Sequence, residues 1–413
     1  MCSAVRAKAR AYSRMNPSDV IQAHLVDGGS QAGEWALVRV DFVYTNELTA
    51  DLALRCMAEQ ASCARIFDPE RVAVILDHLV PACDVDSASI TSRVRAWAKQ
   101  VGIRHWYEAG RGGIGHLVVA DSGRVRSGDL VVGGDSHTAM LGALGALGLG
   151  VGGTDLAYTL LTGTTWLQVP AEFRIRLHGR LPQGVYGKDV ALALLRKMGP
   201  YGALGKCVTI MGEGPKQLGR GGRLTVANMM VEAGAVGVLL PGDDSGPAHL
   251  TLDMDHLEPL VAMPFAPGNV LSVREAVAGG EIPVHQVYIG SCTNGLAEDL
   301  RSAARLLRSA QVHRNTRLYV APGTQSVVSE LAADGTLQVL SRAGAAILPP
   351  VCGPCYGGSL GILAENENAV ATTNRNYIGR MGHPTSRVYL ASPVVAAASA
   401  VLGRLAGPWE VAG

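Results

Sequence analysis

"HQVYIGSCTNGLAEDLRSAARLLRSAQ", residues 285–311, decides the fold. Its start reads as a buried apolar strand, and "GSCTN" as a polar turn. The rest puts Leu296, Leu300, Ala303 and Leu307 on one helical stripe, with Asn294 as the expected N-cap. The same pattern of apolar run and polar turn recurs in "RVAVILDHLVP" (71–81), "GDLVVGGDSHT" (128–138), "TRLYVAPGT" (316–324), "AAILPPVCGPC" (345–355) and "NAVATTNRN" (368–376). Continuous apolar runs suit parallel strands covered on both faces. A second helix is expected in "SPVVAAASAVLGRL" (392–405), with Ser392 as N-cap, Pro393 at the first position and Gly403 as the stop. Strands alternating with helices give an α/β fold. Boundaries are expected near residue 170 ("QVPAEF") and near 280 ("AGGEIP"), and "MGEGPKQLGRGGR" (211–223) reads as a loop.

The polar clusters share one kind of place. Asp77-His78, Asp135-Ser136-His137, Ser291-Cys292-Thr293-Asn294, Cys352/Cys355 and Asn374-Arg375-Asn376 all fall where a strand pattern ends. In open α/β sheets, ligands bind outside the carboxyl ends of strands. Five such clusters point to several sheet ends aimed at a common site.

Composition narrows the function classes. Lys plus Arg is 36 and Asp plus Glu is 35, so charge gives no reason to expect nucleic acid or an anionic membrane. No apolar run approaches the ~20 residues of a spanning helix. The N-terminus, "MCSAVRAKARAYSRMNPSD", has no apolar core and is expected to be a frayed end rather than a secretory signal. The eight cysteines form no dense framework and are expected as reduced thiols in the cytoplasm.

Cys352-Gly-Pro-Cys355 has three readings. A redox dithiol needs its first cysteine at a helix N-terminus, but "YGGSLG" follows, and glycines start a helix poorly. Two chance cysteines in a turn are the second. The third adds Cys292, and three thiolates could hold a [4Fe–4S] cluster with one iron lacking a protein ligand. Such an iron is a Lewis acid, like a three-ligand zinc, and spacing alone does not separate the two metals. His78 beside Asp77 and His137 near Asp135 suit acid–base work. His116 in "GIGHLVV" reads as a buried histidine in an apolar strand. Asn228 and Glu232, four apart, would share a helix face. Arg375 and Arg380 together suit a di- or tricarboxylate, which arginine grips with paired hydrogen bonds.

Seven blocks, "ILDHLVP", "GIGHLVV", "GGDSHT", "NMMVEAGA", "YIGSCTN", "CGPCYGGSLGIL" and "TTNRNYIGRMGHPTSRVYLASPVVAAASAV", occur in the order found in the aconitase superfamily. The chain resembles that superfamily, and within it the family of 3-isopropylmalate dehydratase large subunits. The CGPC form is similar to the short archaeal-type branch, which also contains homoaconitase large subunits. The resemblance implies a three-lobed α/β/α core, with lobes over 1–172, 173–282 and 283–413. It implies one [4Fe–4S] cluster on Cys292, Cys352 and Cys355, with one iron lacking a protein ligand. Catalytic roles are implied for Asp77, His78, His116, Asp135, His137 and Glu232, with His78 paired to Asp77, His116 to Asp135 and His137 to Glu232. Substrate contacts are implied for Ser136, Asn228, Asn374, Arg375 and Arg380, and support of the cluster for Thr293 and Asn294.

The implied activity is that of a hydro-lyase interconverting 2- and 3-isopropylmalate in leucine biosynthesis. Homoaconitase, citraconate or methylmalate hydratase, and an alkylmalate isomerase of secondary metabolism keep the same chemistry. A cluster-free RNA-binding regulator and a thiol oxidoreductase are the readings from other classes. The fourth, swivelling domain, with a catalytic serine and a substrate arginine, is expected on a separate small subunit. Ala139, Met140, Leu141 and Gly115 depart from the usual pattern, which bears on pocket shape and substrate.

Overall fold

A computed structural model describes residues 16–60, 65–241 and 246–411. The expectation for the extreme N-terminus, and those for Cys2 and Cys63, lie outside these residues. The chain divides into two compact units. The first holds residues 1–179, 201–217 and 234–253, and the second holds 180–200, 218–233 and 254–413.

The first unit is built on a five-stranded sheet ordered His105–Tyr107, Val72–Ile75, Phe42–Thr45, Leu130–Gly133, Leu147–Gly150. All its pairings are parallel. Val72–Ile75 and Leu130–Gly133 are buried along their whole length, as an apolar run without alternation requires. The order reverses beside Phe42–Thr45: the chain adds strands to one side of it, then crosses to the other. Asp77-His78 and Asp135 follow the strands flanking it, in the crevice such a reversal leaves. A second sheet, ordered Gly237–Leu239, Lys206–Met211, Ala171–His178, Leu250–Asp253, is also parallel. A small antiparallel sheet of Leu25–Gly28, Trp35–Arg39 and Thr164–Gln168 completes the unit.

The second unit has a seven-stranded sheet, ordered Val270–Ser272, Leu260–Ala262, Arg387–Ala391, Asn368–Ala371, Gln286–Ile289, Arg317–Val320, Ala345–Ile347. Its last five strands are parallel. From Gln286–Ile289 the chain runs outward to Ala345–Ile347, then returns to the other side at Asn368–Ala371. The reversal therefore lies between the strand that precedes Cys292 and the strand that precedes Asn374.

All six strand segments read from sequence are strands. The helix Ala297–Leu307 buries Leu300, Ala303 and Leu307. Its N-cap is Leu296 and not Asn294, because residues 291–294 form a helical turn of their own. Pro393–Leu402 starts after Ser392 and stops at Gly403 in left-handed backbone, although the Ser392 hydroxyl caps nothing. Three expectations need correction. Most of 211–223 is helical, in Gly214–Gln217 and the start of Arg220–Met229. The glycines there serve contact: a Cβ on Gly187, which opens the helix Gly187–Met198, would sit 2.5 Å from the Gly222 Cα. His116 lies on a helix, Gly115–Asp121, whose first N–H donates to Asp77 Oδ2 at 2.7 Å. Asn228 and Glu232 do not share one α-helix, which ends at Met229; Glu232 sits in the 3₁₀ turn Met230–Ala233.

That close approach gives a test. Gly187→Ala should improve intrinsic helix propensity by about 1 kcal/mol, yet the clash with backbone should cost more, a net loss of roughly 1–3 kcal/mol. Chemical unfolding of the variant measures it; an unchanged or raised midpoint contradicts the packing.

Candidate functional site

In the first unit, three carboxylates and three histidines gather at strand ends. Glu47 follows Phe42–Thr45 and is fully buried. Its carboxylate accepts the backbone N–H of Asp77 (3.1 Å), His78 (3.0 Å) and Leu79. That fixes the turn on which His78 sits. Asp77 Oδ1 holds His78 Nδ1 at 2.6 Å. Burial pulls the His78 pKa down, but the charges of Asp77, Asp135 and Glu47 and the Asp77 hydrogen bond outweigh it and raise it to about 9. Burial first, and then the Asp77 charge, push Glu47 up.

Asp135 ends the strand Leu130–Gly133 and caps the 3₁₀ helix Ser136–Leu144, accepting the His137 N–H at 2.7 Å. Its Oδ1 is 3.6 Å from His137 Nδ1 and 3.9 Å from His116 Nδ1. Burial would raise its pKa, but the cationic histidines hold it far below the usual carboxylate range. His116 is buried, and neither ring nitrogen has a hydrogen-bond partner among the described residues. An imidazole left so is costly unless something binds it. Ser136 opens the turn and is exposed. Ala139, Met140 and Leu141 are buried, so these departures alter packing rather than an open pocket wall.

In the second unit the cysteines come from two strand ends. Cys292 sits on the turn Ser291–Asn294, entered through Gly290 and Ser291, both at positive φ. Cys352 caps a tight 3₁₀ turn, Gly353–Tyr356, that contains Cys355 and has Gly353 in left-handed backbone, and no α-helix directly follows. The structure therefore lacks the helix N-terminus that a redox dithiol uses. Ser291 Oγ lies 3.7 Å from Cys292 Sγ and 3.8 Å from Cys355 Sγ. Asn374 Oδ1 lies 3.4 and 3.7 Å from the same sulfurs. Asn228 Nδ2 reaches Cys292 Sγ at 3.2 Å and its oxygen accepts from Asn374. Glu232 holds Arg375 Nε at 2.8 Å. Arg380 Nε is buried with no hydrogen-bond partner among the described residues.

Three further buried polar side chains at these sites carry weak signals in the sequence. Glu47 ends "FVYTNE", another strand end. Tyr288 hides inside an apolar strand. Its hydroxyl is fully buried, without a hydrogen-bond partner among the described residues. Burial, then the charges of Cys355, Cys352 and Cys292, raise its pKa, so it stays a neutral donor beside the three sulfurs. Lys188 stands alone on the apolar face of Gly187–Met198. It is fully buried and donates to Thr373 O (2.6 Å), Thr372 O (2.8 Å) and Thr293 Oγ1 (3.4 Å). Burial lowers its pKa to about 8, with the charges of Cys292 and Cys355 opposing.

Three cysteines around one orphaned phenol fit an iron–sulfur group, whose sulfurs accept such a hydrogen bond. Comparison with known proteins decides the family. The profile of the aconitase family (aconitate hydratase) matches residues 18–251 and 247–403. The chain belongs to the aconitase family. That family carries an iron–sulfur cluster. Among its relatives, the 3-isopropylmalate dehydratase large subunit of Moorella thermoacetica is 43% identical, over 95% of this chain and 98% of that protein. A 3-isopropylmalate dehydratase large subunit of Methanopyrus kandleri is 41% identical, over 92% of this chain and 95% of that protein. Aconitase X of Thermococcus kodakaraensis shares the fold with a TM-score of 0.52, at 11% identity, over 82% of this chain and 84% of that one. Among the described residues no helix is long and apolar enough to cross a membrane, and none of the six described cysteines is in a disulfide.

The His78 environment predicts a pH effect. Its folded pKa is raised, so its protonated form stabilises the fold in full below about 6.5, and the contribution is lost as pH climbs through about 9. NMR titration of the His78 ring should give a midpoint near the upper value, and Asp77→Asn should bring it down. A wild-type midpoint near 6.5 contradicts the geometry.

Proposed function

We propose that this chain is the large, catalytic subunit of a [4Fe–4S] hydro-lyase that interconverts 2- and 3-isopropylmalate by dehydration and rehydration. The observation that carries the reading is the convergence of Cys292 and Cys355 on Ser291 and Asn374 beside the orphaned Tyr288 hydroxyl. Relatives at 40–43% identity named for that reaction supply the substrate. Cys292, Cys352 and Cys355 would hold the cluster. When bound, it supplies Lewis acidity at an iron without a protein ligand, which eases loss of a poor leaving group.

The chain's own residues do the rest. Arg375, held by Glu232, and Arg380 with its unpartnered Nε bind the substrate carboxylates. Asn228 and Asn374 orient the sulfur ligands and the polar edge of the substrate. His78, charged up to about pH 9, donates its proton to the departing hydroxyl, which leaves as water. Asp77 keeps the ring aimed and stabilises its charge. Asp135 stabilises positive charge on His116 and His137, which take and return protons as water re-adds to the neighbouring carbon. The proton on the adjacent carbon is removed by a base on a small subunit, the partner implied by the relatives' designation as large subunits. Cysteines outside disulfides suit a reducing compartment, and the reading places the enzyme in the cytoplasm.

The test is anaerobic reconstitution with ferrous iron and sulfide, followed by assay with the small subunit. Isopropylmalate isomerisation should require both, and Cys292→Ser, Cys352→Ser and Cys355→Ser should each lose iron and labile sulfide. Robust turnover by the isolated chain, or a Cys292→Ser variant with full iron content, would overturn the reading. Arg380→Lys keeps the charge but loses the planar fork, and should raise KM by roughly 10-fold or more, about 1.4 kcal/mol.

A further inference from the structure

The cation of Lys188 has no work in the reaction just described, yet burying it is costly. Its ammonium group donates to Thr372 O, Thr373 O and Thr293 Oγ1, with Met229 Sδ at 4.0 Å. Among the described residues no carboxylate lies within ion-pair distance of it, although Asp299 and Asp189 are near enough to favour its charge. Asp189 is committed to the backbone N–H groups of Tyr186 and Leu260. Asp299 is committed to Asn294 and the Leu296 N–H. The ammonium therefore has no salt-bridge partner among the described residues. Its position is specific. Thr293 follows Cys292, and Thr372-Thr373 lead into Asn374, which touches two of the sulfurs. Thr293 Oγ1 also donates to Thr372 O at 2.5 Å, and Thr372 Oγ1 bonds both the N–H and the carbonyl of Gly290. Lys188 thus plugs the back of the crevice where the strand order reverses, behind the turn that carries Cys292.

With its core in the usual 2+ or 1+ state, a four-iron cluster on three thiolates carries a net negative charge. We propose that Lys188 is its internal counter-cation: a positioning residue that offsets this charge from the protein side and raises the reduction potential of the group. The inference rests on the cluster reading given above. Its chemistry is electrostatic. A fixed positive charge at low dielectric favours the state with one electron more, and no bond to the cluster is required.

The test uses the full chain, wild type and Lys188→Met or Lys188→Gln, reconstituted anaerobically with ferrous iron and sulfide. Iron and labile sulfide are counted first. A wild-type chain that takes up neither overturns the cluster reading itself. With wild type loaded, the midpoint potential is followed by EPR during titration with dithionite and redox mediators. Either neutral variant should titrate at a more negative potential, by at least a tenfold change in the reduced-to-oxidised ratio, 59 mV for a one-electron couple. A loaded variant at the wild-type potential overturns the proposal and leaves Lys188 a purely structural clamp. If neither variant takes up iron, near-UV circular dichroism of the iron-free chains decides. A native spectrum supports a charge needed for loading, and a lost one overturns the proposal in favour of the clamp.

Discussion

A parallel strand buried on both faces has nowhere to carry polar chemistry except its ends. Val72–Ile75, Leu130–Gly133, Gln286–Ile289 and Asn368–Ala371 are all buried along their length. Asp77, Asp135, Ser291-Cys292 and Asn374 therefore appear within a few residues of their carboxyl ends. The reversals of strand order then do the second part of the work. They leave a crevice between neighbouring strands, and each unit uses its own: carboxylates and histidines in the first, thiols and amides in the second.

Holding charged groups in such crevices demands compensation, and each unit solves that differently. In the first unit, Glu47 spends its lone pairs on three consecutive backbone N–H groups, and Asp77 is divided between His78 and the start of the helix at Gly115. The histidines are thereby fixed by groups that cannot move without unwinding a turn. In the second unit one buried ammonium lies near Cys292 and Cys355, and one buried phenol near all three cysteines. Neither makes sense as packing alone, since an isolated lysine or an unbonded hydroxyl is costly to bury.

How far the sequence could be read follows from the same physics. Continuous apolar runs bounded by turn signals suit parallel strands, so the strand positions and the polar clusters behind them were legible. Periodicity also located Ala297–Leu307 and Pro393–Leu402. What was hidden depended on distant partners. "GIGHLVV" looks like a strand because its helix is seven residues long and is anchored from Asp77, far away in sequence. "LGRGGR" looks like a loop because its glycines answer to Gly187 and Glu298 across a helix contact. Asn294 looked like a cap because nothing local says that it would donate to Asp299. Tyr288 escaped because it is one polar residue in an apolar run, and Lys188 and Glu47 because only the fold reveals what each faces.

The central claim is that Cys292, Cys352 and Cys355 hold a four-iron cluster with one iron left for the substrate. Mössbauer spectroscopy of the chain, reconstituted with iron-57 and assembled with its small subunit, tests it most directly. The account predicts one iron in four with its own quadrupole doublet, shifting when 2-isopropylmalate is added while the other three stay in place. Four equivalent irons, or a spectrum indifferent to that substrate, would contradict it.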